Sequence, residues 1–197
     1  MAAAISFKKI ALIFLLSLPL LNLINGSIEN NLGPDPGKVI LLSLGYWAMV
    51  CLWLTLLITP LRYWLNDSRF IVYRRLLGLM SAFYATLHVM VVMSYVLDWD
   101  WQQFLIELQD RPYMLVGIAA WLLMLPLALS SNKWAMRHLR AGWKRLHQLI
   151  YVVALLVLVH FYWLVRSDYR EVLIFAVLLL LLFADRYGRY LKAKRAA

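Results

Sequence analysis

The sequence predicts an all-α integral membrane protein: a six-helix transmembrane bundle that fills a single domain over residues 1–197. Three observations predict it. The composition is 64% apolar and only 15% charged, whereas a soluble domain carries roughly 45–50% and 25%. The apolar residues gather into runs of membrane-spanning length, about 20 residues each. The basic residues sit between those runs, and on alternate sides of them.

The runs cover about residues 8–24, 39–61, 76–97, 112–129, 146–165 and 172–187. The first follows Lys8 and Lys9, as the core of a signal peptide would. It leads into Asn25-Gly-Ser27 with no small-x-small cleavage site, so a retained helix is the expectation. Gly33-Pro-Asp-Pro-Gly37 makes the turn into the second run, which ends at Thr59-Pro-Leu-Arg62. The third holds His88 and ends at Asp98-Trp-Asp-Trp101, an interface signature. The segment on to Arg111 is acidic and patterned as a short surface helix. Pro112 suits the first turn of the fourth span, and Pro126 lies near its end. The fifth holds His147 and His160. The sixth is short, with Tyr169 and Tyr187 at its borders. No internal repeat is evident.

With the N-terminus inside, sixteen of the twenty basic residues fall on one side, and only Asp67 and Asp185 of the ten acidic residues join them. The positive-inside rule then places both termini in the cytoplasm. The net charge of +10 is thus a matter of topology and calls for no nucleic acid. Cys51 stands alone, which excludes an internal disulfide. There is no Cys-x-x-Cys-His for a covalently attached haem.

Ionisable groups inside a bilayer are costly and generally have a partner and a task. His88 lies 13 residues beyond Arg75, and His160 lies 15 beyond Arg145, on two helices that run in the same direction. The two imidazoles therefore share one depth, toward the outer half, and suit bis-histidine ligation of haem b between helices. His147 stands 13 residues before His160, about 20 Å lower at 1.5 Å per residue. It marks a candidate inner haem site. On the third helix Arg74 and Arg75 occupy that level, either to neutralise haem propionates or, for Arg74, as an unusual counterpart ligand. One haem or two fits this pattern. Thirteen residues are not a whole number of turns, so two haems on one side need a local distortion between His147 and His160. His138, in a basic loop, reads as solvated. The structural alternative for each intramembrane histidine is a hydrogen bond to a neighbouring helix.

Arg74-Arg-Leu-Leu-Gly-Leu-Met-Ser-Ala-Phe-Tyr-Ala-Thr-Leu-His88 and Gly142-Trp-Lys-Arg-Leu-His-Gln-Leu-Ile-Tyr151 resemble the third- and fifth-helix signatures of the MsrQ (YedZ) family. Thr59-Pro-Leu-Arg62, Arg111-Pro-Tyr113 and Ser130-Ser-Asn132 fit as well, and the resemblance runs from about Phe7 to Tyr190. It implies the haem-binding membrane subunit of a periplasmic methionine sulfoxide reductase system, with a core similar to that of ferric reductases. Those carry two histidines on each of two helices; here Arg74 stands where one of the four is expected. The implied role is electron transfer, not catalysis, across the bacterial inner membrane. Electrons would come from the quinol pool or from a cytosolic flavin reductase through FMN. They would pass to the molybdopterin enzyme MsrP, which repairs oxidised periplasmic proteins. No Gly-x-Gly-x-x-Gly fingerprint follows the sixth run, so a separate donor is expected.

Two rival readings use the same helices. A stand-alone ferric or quinone reductase shares the haem core. A transporter or scaffold without cofactor shares the apolarity, but its usual buried carboxylates are missing, since Asp67, Asp98 and Asp185 lie at span ends.

Overall fold

The computed structural model describes residues 2–195, with side chains from Phe7 to Arg195. The described chain is helical: α1 (Ala2–Ile28), α2 (Pro36–Trp64), α3 (Ile71–Val91), α4 (Trp101–Asp110), α5 (Pro112–Leu129), α6 (Lys133–Leu139), α7 (Ala141–His147), α8 (Ile150–Leu164) and α9 (Arg170–Arg195). Among the described residues, five segments are long and apolar enough to cross a membrane: Phe7–Ile28, Pro36–Trp64, Ser68–Val96, Pro112–Leu129 and Ala141–Leu164. The sixth predicted span falls in α9. Its apolar stretch, Val172 to Ala184, is bracketed by Glu171 and by Asp185 and Arg186, which leaves α9 outside that set.

Local chemistry sets the helix ends. The Asp35 carboxylate accepts the Lys38 N–H at 3.0 Å, and Pro36 fills the first turn of α2, where a missing N–H costs nothing. Asp67 caps the 3₁₀ turn Ser68–Phe70 that leads into α3. Asp100 takes the Gln102 and Gln103 N–H groups and starts α4, the expected surface helix. Asn132 starts α6 by accepting the Ala135 N–H at 2.8 Å.

Several helix boundaries differ from the sequence reading. Helices α1, α2 and α9 extend past their apolar runs, because apolarity marks the bilayer while backbone hydrogen bonding continues into water. Helix α3 passes into a π-helical turn, Val92–Val96. The fifth span is broken at Gln148 and Leu149, where amides bond three residues back: Gln148 to Arg145 at 3.1 Å and Leu149 to Leu146 at 3.0 Å. That tighter turn lies between His147 and His160 and changes the helical phase that separates them.

One core joins α2, α3, α5, α8 and α9 through Leu52, Trp53, Ala82, Met124, Val153 and Leu179. A second fixes α1 to α2 and α3 through Leu16, Leu44, Cys51 and Tyr84. Since lipid is as apolar as leucine, packing and interhelical hydrogen bonds hold such a bundle together. Ser81 Oγ donates to the Ala48 carbonyl at 2.8 Å, Tyr84 to the Leu16 carbonyl at 2.5 Å, and Trp53 Nε1 to the Phe175 carbonyl at 3.0 Å. Leucines and phenylalanines such as Phe14, Leu42, Leu122 and Leu180 point outward, as a lipid-facing surface demands.

Candidate cofactor site between two histidines

His88 on α3 and His160 on α8 face each other across the bundle. Their ring centres lie 6.4 Å apart and their planes cross at 86°. The equal depth predicted by counting from the arginines is therefore a direct pairing. Each ring is fixed in the same way: His88 Nδ1 donates to the Leu41 carbonyl at 2.9 Å and His160 Nδ1 to the Tyr113 carbonyl at 2.7 Å. A carbonyl only accepts, so Nδ1 carries the proton and each Nε2 keeps a free lone pair.

The spacing fits a metal held between the rings. With metal–nitrogen bonds of about 2.0 Å and each ring centre about 1.1 Å behind its nitrogen, two axial imidazoles stand about 6.2 Å apart. Among the described residues no group of three or more His, Cys, Asp or Glu side chains gathers to hold a bare ion. Two facing imidazoles, one from each helix, suit a metal whose remaining ligands come from a planar macrocycle. A cavity of about 540 Å³ surrounds the pair, lined by Tyr46, Met49, Met114, Trp121, Met124 and Phe161 among others, a size usual for small-molecule and cofactor sites. Apart from the histidines, Glu171 is its one ionisable lining side chain with an acidic or basic charge.

Sequence reading missed the parts that seat the rings. A Cβ on Gly45 would come within 3.0 Å of His88 Cε1 and Nδ1, and one on Gly117 within 2.7 Å of the same atoms of His160. In both cases the accepting carbonyl precedes its histidine by 47 residues, and each glycine lies four residues after that carbonyl. This corrects the reading that the chain holds no repeat. Helices α2 and α3 form one copy of a carbonyl–glycine–histidine unit, and α5 and α8 form the other. Little beyond the spacing is shared, so a search for similar residues passes over it.

At the other end of the cavity's helices, His147 Nδ1 donates to the Trp143 carbonyl at 3.1 Å while the Trp143 ring stacks on it at 3.9 Å. Ser131 Oγ lies 3.4 Å from its Nε2. Arg74 is half-buried within electrostatic reach of His147 and Arg186, whereas Arg75 is exposed. Arg75 precedes His88 by 13 residues, as His147 precedes His160. The repeat thus pairs His147 with Arg75 by position, while Arg74 is the one that turns inward. Arg186 and Arg189 lie over the Tyr151 and Tyr63 rings at 4.4 and 4.6 Å, and Asp185 pairs with Arg189 and accepts Trp64 Nε1 at 3.1 Å. His138 is exposed and stacked on Trp134, outside both levels.

Residues 44–158 match the family model of the ferric reductase like transmembrane component. With the apolar helices and the histidine pair between them, this defines the chain as a multi-pass membrane protein of the ferric reductase-like class. A protein of Xanthomonas oryzae pv. oryzae (strain MAFF 311018), named protein-methionine-sulfoxide reductase heme-binding subunit MsrQ, is 44% identical over 164 residues, which is 83% of this chain and 75% of that protein. Proteins with the same name from Xanthomonas axonopodis pv. citri (strain 306) and Xanthomonas campestris pv. campestris (strain B100) match with the same identity and coverage. The chain belongs to the MsrQ family. No solved structure matches it.

Proposed function

We propose that the chain is a haem b electron-transfer subunit that carries electrons across the bacterial inner membrane to the periplasmic methionine sulfoxide reductase MsrP. The observation that carries this reading is the facing pair His88 and His160, with ring centres 6.4 Å apart and both Nδ1 protons engaged, which leaves Nε2 of each ring as the ligating nitrogen. Haem bound there supplies a one-electron carrier. The residues around it do the rest. The two carbonyl hydrogen bonds hold the imidazoles in one tautomer and raise their basicity. The methionines and aromatics of the cavity exclude water and lower the local dielectric, which tunes potential. None of these groups is placed to break a bond in a substrate.

His147 belongs to a second, inner haem site in this reading. Its ring is held by an Nδ1-to-carbonyl bond within its own helix, and its Nε2 lies 3.4 Å from Ser131 Oγ. Arg74 and Arg75 supply positive charge for propionates at that level, or Arg74 a counterpart ligand. The basic inner end, with Arg186 and Arg189, suits an anionic donor such as FMN from a cytosolic flavin reductase; reduced quinone from the bilayer is the other donor. Six spans with both termini cytoplasmic complete the arrangement, α9 crossing by its apolar stretch with its charged ends at the interfaces.

Proteoliposomes test the direction. Haem reduced from the side bearing the termini, by reduced FMN or a quinol, is expected to reoxidise when MsrP and methionine sulfoxide are added to the opposite side. Reoxidation by ferric iron or quinone alone, with none by MsrP, would establish the stand-alone reductase instead.

A further inference from the structure

We propose that Gly45 and Gly117 are positioning residues that lock the two imidazoles in crossed planes, and that this crossing sets the electronic state and raises the potential of the iron between them. The proposal rests on the haem reading above and adds to it how the ligands are oriented. In an α-helix the carbonyl of residue 41 already accepts the N–H of residue 45, and that of residue 113 the N–H of residue 117. Each oxygen keeps a second lone pair that points out of the helix, past the side chain of the residue one turn on. A side chain there would cover it. Gly45 and Gly117 leave it open, and the imidazole of the partner helix fills the gap: the nearest atoms to a methyl placed on either glycine are ring atoms of His88 at 3.0 Å and of His160 at 2.7 Å.

An imidazole bound to iron turns freely about its metal–nitrogen bond unless something else holds it. Here the Nδ1 hydrogen bond to a rigid helix holds each ring, at 2.9 Å for His88 and 2.7 Å for His160, and the two planes cross at 86°. The same unit built twice, on two helix pairs that face each other, delivers this crossing. The consequence is electronic. Parallel imidazoles donate π density into one iron d orbital and split it from its neighbour. Crossed imidazoles donate into both, which leaves them nearly degenerate. Oxidised low-spin iron then shows one strongly anisotropic low-field resonance in place of three resolved rhombic lines. The ferric state also loses the stabilisation that splitting gives, so the potential rises.

The test is electron paramagnetic resonance of the oxidised full-length holoprotein, with haem content and a redox titration on the same sample. The wild type is expected to give the anisotropic resonance at the outer haem. Gly117→Ala is expected to keep low-spin, bis-histidine haem, while its signal turns rhombic and its potential falls. Gly45→Ala, whose contact is looser, is expected to move the same way by less. A rhombic wild-type signal, or a Gly117→Ala protein with bound haem and an unchanged signal, overturns the proposal. Should Gly117→Ala fail to take up haem, the wild-type signal and Gly45→Ala decide it in the same terms. A wild-type protein with no haem at all overturns the underlying haem reading instead, so the two failures are distinct.

Discussion

Trp121 on α5 donates its indole N–H to Thr86 Oγ1 on α3 at 3.1 Å, two residues before His88. Thr86 in turn donates to the Ala82 carbonyl of its own helix at 2.8 Å. This bond ties the two halves of the histidine clamp, and Trp121 also lines the cavity. Trp121→Phe removes the donor and keeps an aromatic ring; Thr86→Val removes the acceptor and keeps the shape. Interhelical hydrogen bonds in bilayers average about 0.6 kcal/mol and reach about 1.7. Both partners are half-buried in the bundle, so a coupling of about 1 kcal/mol, within that range, is expected, close to a fivefold change in the folded-to-unfolded ratio. The assay is a double-mutant cycle read by reversible unfolding of the detergent-solubilised protein in dodecyl sulfate. The double variant should be more stable than the sum of the single losses predicts, by about that amount. Additivity within about 0.3 kcal/mol, the behaviour of independent sites, would show that the two side chains do not couple the helices.

Further expectations follow from other contacts. His147→Ala should lower haem per polypeptide from two to one in a pyridine haemochrome assay; an unchanged content would remove the inner site. Cys51 is fully buried, so the wild-type thiol should resist a maleimide until the protein is unfolded. In a Cys51→Ala background, a cysteine placed in the tail near Lys194 should be labelled by an impermeant maleimide only after the membrane is opened. Labelling of intact spheroplasts would put the C-terminus outside. The Tyr95 hydroxyl, and then the Lys38 N–H, hold the Asp35 carboxyl below its ordinary value of 3.8. A depressed carboxylate stabilises the folded state above its unfolded value and loses that contribution as pH falls through the folded one. The α2 cap should therefore hold to below pH 3.8 and loosen at higher pH in Tyr95→Phe, as read by amide exchange at Lys38; the same midpoint in both would contradict it.

Much of this architecture was legible in the sequence. Apolar runs and the prolines at their borders located five spanning helices, and the residue pattern located the surface helix α4, because burial in lipid and termination by Pro are local effects. The meeting of His88 and His160 followed from depth alone, counted from arginines held at one interface. What escaped was set by backbone geometry across helices. Gly45 and Gly117 look like any small residues in an apolar run, and their role appears only when a ring from another helix is seen against a carbonyl. The half-buried Arg74 and exposed Arg75 are adjacent, and only the helical phase of α3 distinguishes them. Asp185 read as one more interfacial charge, yet it anchors Arg189 and Trp64. A distortion between His147 and His160 was expected only for two haems stacked on one side, and nothing in Gln148 or Leu149 fixes where the helix breaks.

In the proposed function His88 and His160 hold iron between them. Quantitative haem content with reduced-minus-oxidised spectra, on wild type, His88→Ala and His160→Ala purified from the membrane, tests it most directly. Loss of the outer haem is expected in both variants, with the protein still inserted and helical. A full haem complement with an unaltered spectrum in either one would contradict it.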